Sequence, residues 1–337
     1  MTKTIKIASV VTVTLLVSVV TISLYIQNYL TSPAGTLTEA AEVEINPGSS
    51  FHYVTSKLKE AGVIESRDKF YLYAKYRGDL NSIKAGEYSF QPSMTPGEIL
   101  DHLVKGNVIK HRITIPEGYN LYQVAQLLDE RGIVTKDDFI KDSFDKALLD
   151  EMGINSKSFE GYLYPETYFL VKGMKGKDII RRMSGRFKEV FSPELTERAD
   201  ELGFSVEEII NLASIIEKET GNPEERKLIS AVFHNRLRKR MRLQSDPTVI
   251  YGMIESFDGN IRKKDLKTKT PYNTYRINGL PAGPIANPGI ESIEAALYPA
   301  PVDYIYFVSM NNGSHVFAKS LEEHNRNVWI YQKRKRR

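Results

Sequence analysis

The residues best able to do chemistry lie in Ser205–Thr220, which reads SVEEIINLASIIEKET. At about 100° per residue, Val206, Ile209, Ile210, Ala213 and Ile216 share one apolar face of a helix. Glu217 falls near the middle of that face, Lys218 points away from it, and Glu219 lies beyond its edge. A carboxylate aimed at a core is costly unless it is partnered or protonated. Burial raises its pKa, which suits a general acid working near neutral pH. Two plainer readings stand beside this one. Glu-Lys-Glu is a common solvated helix end, and a buried glutamate is often the partner of an arginine, here Arg236 or Arg242.

Other chemistries find little support. There is no phosphate loop and no Rossmann glycine pattern. The six histidines show no HExxH spacing, so no metal site is expected. Ser56-Lys57-Leu58-Lys59 matches the acylase SxxK pattern, but no SDN or KTG companion follows. The chain has no cysteine, which excludes thiol nucleophiles, disulfides and thiolate metal sites. A net charge of +4 over 337 residues is too mild to argue for nucleic acid. Charged residues at 26% and hydrophobic residues at 41% describe an ordinary globular chain with room for two or three domains.

The elements that must position Glu217 read as follows. Ser205 with Glu208 forms a capping box, and Thr220-Gly221-Asn222-Pro223 stops the helix. A second helix covers Ile229–Leu237. Asp246 reads as the N-cap of a short helix with Pro247 at N1 and Gly252 past its end, and Gln244 stands at the turn before it. Pro271–Tyr275 brings amide, hydroxyl and ring groups together. Gly279–Gly289, stiffened by prolines, is either a rigid cleft wall or a surface loop. Phe159–Tyr168 is dense in aromatics beside carboxylates, which suits sugar stacking, although core tyrosines are the commoner explanation. Asp303–Ser309 and Ser314–Ala318 flank an Asn-Asn-Gly turn and read as a hairpin. Ser320 with Glu323 caps a last helix, and Lys333–Arg337 is a basic tail.

Upstream, Ile7–Ile26 is a run of 20 residues without a charge, about the length that crosses a bilayer as a helix. A cleaved signal peptide is the rival, but its apolar region is shorter. Lys3 and Lys6 precede the run, which places that end in the cytoplasm. The expected organisation is a cytoplasmic stub over 1–6, a transmembrane helix over 7–27, a linker over 28–40, a small module over 41–108 and a catalytic domain over 109–337. An internal repeat with an offset of 70 residues runs through both parts. Ile45-Asn46-Pro47-Gly48, followed by Phe51, Val54, Leu58 and Gly62, corresponds to Ile115-Pro116-Glu117-Gly118, followed by Leu121, Val124, Leu128 and Gly132. Each copy reads as strand, turn, amphipathic helix and glycine stop. Lys84–Phe90 reads as a strand, and Thr95-Pro96-Gly97-Glu98 caps a helix, which completes a βααβ-type module.

Five segments in order resemble the YceG-like family of endolytic murein transglycosylases. They are Leu212–Glu219 (LASIIEKE), Phe233–Leu237 (FHNRL), Gln244–Gly252 (QSDPTVIYG), Tyr272–Tyr275 (YNTY) and Gly279–Gly289 (GLPAGPIANPG). Ile115–Gly118 and Glu160–Tyr168 are also similar to it. The resemblance covers nearly the whole chain, with Ala282 standing where the family often has a second proline. It implies an α+β fold: one transmembrane helix, a LysM-like module, then a larger α+β catalytic domain. It implies a carbon–oxygen lyase that cuts the MurNAc–GlcNAc bond within nascent glycan strands, leaves 1,6-anhydro-MurNAc ends and terminates strand growth. The family's catalytic glutamate maps onto Glu217. Gln244, Asp246, Tyr251, Tyr272, Asn273, Thr274, Tyr275 and Asn287 are the expected sugar-binding residues. No cofactor, metal or nucleic acid is expected. Peptidoglycan strands are the expected partner, with peptidoglycan synthases beside them, and the catalytic domain is expected outside a single-pass cell-membrane anchor. A muramidase using Asp246 as second carboxylate, and a non-catalytic wall-binding protein, remain the alternatives.

Overall fold

The computed structural model describes residues 2–334; Met1 and the end of the basic tail, residues 335–337, lie outside them. The side chains of Lys3 and Lys6 also lie outside the description. The chain divides into two compact units, residues 2–111 with 169–173, and residues 112–168 with 174–334.

The first unit begins with helix α1 (Thr2–Thr31). Its segment Val10–Thr31 has mean hydropathy 2.1 and none of it is buried in protein, so it is long and apolar enough to cross a membrane. The hydroxyls of Thr14, Ser18 and Thr21 donate back to the carbonyls four residues earlier at 2.8–2.9 Å. These three hydroxyls are thus satisfied within the helix, as a medium without water would require. The chain then enters the unit directly. Ala34 is buried, its N–H bonds the Met94 carbonyl at 2.9 Å, and its carbonyl accepts from Glu65 N–H at 2.7 Å.

Strand β1 (Ala41–Ile45), α2 (Phe51–Glu60), α3 (Arg67–Arg77), β2 (Gly86–Phe90) and α4 (Pro96–Lys105) follow. β1 and β2 pair antiparallel, from Ala41 opposite Phe90 to Ile45 opposite Gly86. The order is therefore strand, helix, helix, strand, helix. Ser50 and Ser66 cap α2 and α3, and Thr95 with Glu98 forms a full capping box on α4 with Pro96 at N1. Phe51, Leu58, Phe70, Tyr88, Phe90 and Leu100 fill the core.

The chain continues, mostly in the second unit, with β3 (His111–Thr114), α5 (Leu121–Glu130), α6 (Lys136–Ser143), α7 (Lys146–Glu151), β4 (Thr167–Leu170), α8 (Gly176–Val190), α9 (Pro193–Glu201), α10 (Val206–Glu219), α11 (Arg226–Arg238), α12 (Asp246–Tyr251), α13 (Ile290–Leu297), β5 (Tyr306–Ser309), β6 (His315–Ala318) and α14 (Leu321–Val328). The two repeat copies have the same local structure. Gly48 and Gly118 turn with φ of +79° and +73°, and Gly62 and Gly132 follow the helices with φ of +75° and +66°. β5 and β6 form the C-terminal hairpin, Tyr306 opposite Ala318.

Helix α10 lies at the centre of this unit. Ile209–Ile216 are eight consecutive buried residues, so the helix has no exposed face along that stretch. The segment 281–289 covers it and is itself largely buried. The Phe159–Tyr168 segment also turns inward. Phe159, Tyr162, Leu163 and Tyr168 are buried, so most of its aromatics are core residues.

Gly161 marks where these layers meet. Its φ is +89°, and a Cβ there would lie 2.7 Å from Pro284 and 2.8 Å from Ile210. Gly161→Ala should therefore cost roughly 2–5 kcal/mol, the sum of left-handed backbone strain and overpacking. Gly132→Ala shares the positive φ but meets no atom within 4 Å, so it should cost only about 1–2 kcal/mol. Urea unfolding of the two variants makes the comparison. Equal losses would mean the close approach at Gly161 is not tight.

Candidate active site

Both glutamates singled out above lie in the last turn of α10, and they face different surroundings. The helix stops at Glu219 because Thr220 is extended (φ −144°, ψ 135°) and Asn222 starts the next turn, accepting from Glu224 N–H.

Glu217 faces the covering segment. Its Oε2 accepts from Ser292 Oγ at 2.7 Å and from Gly289 N–H at 3.2 Å. Gly289 is the N-cap of α13 and Ser292 lies in its first turn, so the carboxylate sits where a helix N-terminus favours negative charge. Neither Arg236 nor Arg242 is its partner. Arg236 donates to the carbonyls of Ile305 and Leu243, and Arg242 to that of Tyr275. Nearby, burial first and the Glu217 charge second push the Glu117 carboxyl above its usual range.

Glu219 faces a cavity of about 550 Å³, within the range of ligand pockets. Gln244, Asp246 and Tyr275 line it, with Arg236, Tyr306 and His315. Ser245 Oγ donates to Glu219 Oε1. Burial dominates the electrostatics and pushes the Glu219 carboxyl up to about 7. The Ser245 hydrogen bond opposes that rise, Asp246 adds to it, and His315 and Arg236 oppose it. At neutral pH the group thus both holds and releases a proton.

The segment before α12 aims these side chains. Gln244 is a non-glycine residue at φ +52°, a conformation that persists only where its surroundings impose it. They do so through Thr274. Its carbonyl accepts from Gln244 N–H at 3.2 Å, and its Oγ1 accepts from Ser245 N–H at 2.9 Å and meets Thr248 Oγ1 at 2.8 Å. Ser245, not Asp246, is the N-cap residue of α12, and it makes no side-chain cap bond. Asp246 is instead engaged by Tyr275, whose Oη donates to its Oδ1 at 2.6 Å.

The expected sugar-binding residues therefore fall into two groups. Gln244, Asp246 and Tyr275 share the cavity with Glu219. Asn273 and Thr274 are at most 1% exposed. Asn273 Nδ2 donates to the carbonyls of Asp265 and Thr268, and its Oδ1 accepts from Tyr275 N–H, so it shapes the loop that carries Tyr275. Asn287 is fully buried. Its Oδ1 accepts from Gly161 and Leu163 N–H at 2.9 and 3.0 Å, and its Nδ2 donates to the Tyr119 carbonyl. Tyr251 Oη donates to Glu160 Oε2 at 2.8 Å, and its ring lies 4.8 Å from that of Tyr272. Glu160 also accepts from Leu121 N–H, and burial pushes its carboxyl up to about 8. That second group does not line the cavity and holds the scaffold around it together.

Glu219, Tyr306 and His315 are cavity residues that the residue pattern alone does not select. His315 donates through Nδ1 to Glu225 Oε2 at 2.7 Å, which fixes its ring at the cavity wall. Glu219 is within reach of the sequence, because the LASIIEKE segment contains it. A helical wheel places it beyond the apolar face and so passes over it.

The raised pKa of Glu219 gives a stability test. The native state keeps a proton that the unfolded chain releases near the ordinary carboxylate range, about 4.3. Stability is therefore lost as pH rises from that range through about 7. Glu219→Gln lacks this loss, so the wild type should melt progressively lower relative to the variant between pH 5 and pH 8. Glu160 contributes equally to both and cancels. Parallel melting curves would show that Glu219 titrates normally.

Comparison with known proteins agrees with this architecture. The YceG-like family model matches residues 43–329. A Bacillus subtilis protein named endolytic murein transglycosylase is 35% identical over 84% of this chain and 82% of its own length. A Streptococcus pneumoniae protein of the same name is 30% identical over 85% of this chain, which spans 57% of that relative's length. A crystal structure of a YceG-like protein from Listeria monocytogenes aligns with a TM-score of 0.60 and 36% identity, covering 86% of this chain and 99% of that one. With residues 43–329 matched by one family model, the chain belongs to the YceG-like family.

Proposed function

We propose that the chain is a membrane-anchored endolytic transglycosylase of peptidoglycan, and that Glu219 rather than Glu217 is its acid and base. The observation that carries the second part is the cavity. Glu219 shares it with Gln244, Asp246 and Tyr275 and titrates near neutrality. Glu217 is engaged at the N-terminus of α13.

In the reaction, protonated Glu219 gives its proton to the glycosidic oxygen between MurNAc and GlcNAc, and that bond breaks. The resulting carboxylate takes the proton of the MurNAc 6-hydroxyl as this oxygen bonds to C1 of its own ring. The products are a 1,6-anhydro end and a free GlcNAc 4-hydroxyl, and Glu219 ends protonated as it began. Because the nucleophile is intramolecular, one carboxyl suffices. Gln244, Asp246 and Tyr275 bind and orient the sugar, and Ser245 holds the carboxyl. Peptidoglycan synthases are the partners that an enzyme cutting nascent strands requires.

Asp246 in the same cavity supports a second reading, a muramidase that activates water with this second carboxylate. Its carboxylate is already taken by Tyr275, which favours the intramolecular route. Mass spectrometry of digested murein distinguishes anhydro ends from reducing ends.

Glu219→Gln should lower anhydro-muropeptide release by at least about 10²-fold, the low end for loss of acid–base catalysis. Glu217→Gln keeps an oxygen for Ser292 and Gly289 and should stay within about 10-fold of wild type, below that same threshold. The wild-type rate should fall as pH rises through about 7, because the free enzyme must carry the proton. A folded Glu217→Gln without activity beside an active Glu219→Gln would return the role to Glu217.

A further inference from the structure

Helix α3 carries two stripes. Phe70 and Ala74 face the core and are fully buried. On another face, Lys69, Leu72, Tyr73 and Tyr76 recur at helical spacing, with Leu72 63% and Tyr76 89% exposed. Single exposed apolar residues need no explanation, but a stripe of them marks a contact. This one continues onto α1. Leu72, Tyr73, Tyr76 and Lys69 line one cleft of about 560 Å³ together with Tyr25, Ile26, Tyr29 and Leu30. Lys69 Nζ lies 5.1 Å from the ring centre of Tyr25 and 5.9 Å from that of Tyr29.

The position of these residues identifies the occupant. Tyr25 and Tyr29 stand in the last two turns of the apolar segment Val10–Thr31. About 20 residues cross the hydrocarbon core, so the tyrosines fall at the level of the headgroups. Tyrosine is enriched at that depth because its ring is apolar and its hydroxyl wet. The first unit cannot swing away from this layer freely, since Ala34 is bonded into it three residues after α1 ends. Arg77 is paired with Asp79 and Asp101, and Arg67, Lys69 and Lys75 still make α3 basic, with Asp68 its one acid, which suits a surface rich in lipid phosphate.

We infer that α3 is a membrane-docking helix. Its Leu72–Tyr76 face rests in the lipid headgroup layer beside the emerging span and fixes the first unit against the bilayer. The inference rests on the reading of α1 as an anchor.

The chain's lack of cysteine makes the test direct. Single variants Val17→Cys, Leu72→Cys, Tyr76→Cys and Asn46→Cys of the full chain carry an environment-sensitive dye in phosphatidylcholine–phosphatidylglycerol nanodiscs. Asn46 is an exposed control in the turn after β1, at the end of the β1–β2 pair away from Phe90 and the Met94–Ala34 bond. Quenchers are a nitroxide in the acyl chains, one at the headgroup and one in water. The expected result is that Val17 is quenched from the acyl chains, Leu72 and Tyr76 from the headgroup, and Asn46 from water only. If Val17 is quenched from the acyl chains while Leu72 and Tyr76 behave like Asn46, the docking helix is refuted and the anchor stands. Dyes at Leu72 and Tyr76 shielded from all three quenchers would refute the docking helix as well, since a protein partner then covers the face. If Val17 itself is quenched from water, the anchor fails and the docking inference fails with it.

Discussion

One polar seam holds the second unit together. Helix α10 is buried all round over eight residues, yet Asn211, Ser214 and Glu217 recur along it at a spacing of three. Each bonds the backbone of the segment that covers the helix. Asn211 donates to the Pro281 carbonyl at 2.8 Å, Ser214 accepts from Ile285 N–H at 3.0 Å, and Glu217 accepts from Gly289 N–H. Buried polar groups must be paired or they destabilise the fold, so the seam fixes where the segment runs. Asn287, between the second and third rungs, then bonds Gly161, Leu163 and Tyr119. The proline-rich loop is thereby pinned against α10 as a buried layer.

The seam also separates the surroundings of neighbouring carboxyl groups. Glu217 completes it at the N-terminus of α13, among donors that suit a charged group. Two residues on, Glu219 leaves the helix end toward the cavity, where burial outweighs the Ser245 hydrogen bond and holds its pKa near 7. Glu160, fully enclosed, is pushed up further still. Burial thus raises the proton affinities of Glu219 and Glu160, the general way in which environment sets a carboxyl group's pKa.

Much of this is legible in the sequence. The caps at Ser205, Thr95 and Ser320 are local and need only residue types a few positions apart. The repeat, the apolar run of α1 and the C-terminal hairpin are also local patterns. That Glu219 borders the cavity is not legible there, because a helical wheel assumes one buried face and α10 is buried all round over Ile209–Ile216. Asp246 misleads for a related reason. Its neighbour Ser245 occupies the N-cap position, and Asp246 is drawn to Tyr275, a contact between residues far apart in sequence. Asn273, Thr274 and Asn287 carry chemistry-bearing side chains, but their partners are distant backbone atoms that no local pattern announces.

In the proposed reaction the scissile oxygen meets Glu219. A crystal structure of the Glu219→Gln protein with a bound murein tetrasaccharide tests it most directly. The account predicts the MurNAc–GlcNAc oxygen in the cavity of Gln244, Asp246 and Tyr275, about 2.6–3.2 Å from the side-chain amide of residue 219. Glu217 should remain on Ser292 and Gly289. A glycosidic oxygen held at that distance by Glu217, with its bond to Ser292 broken, would contradict it.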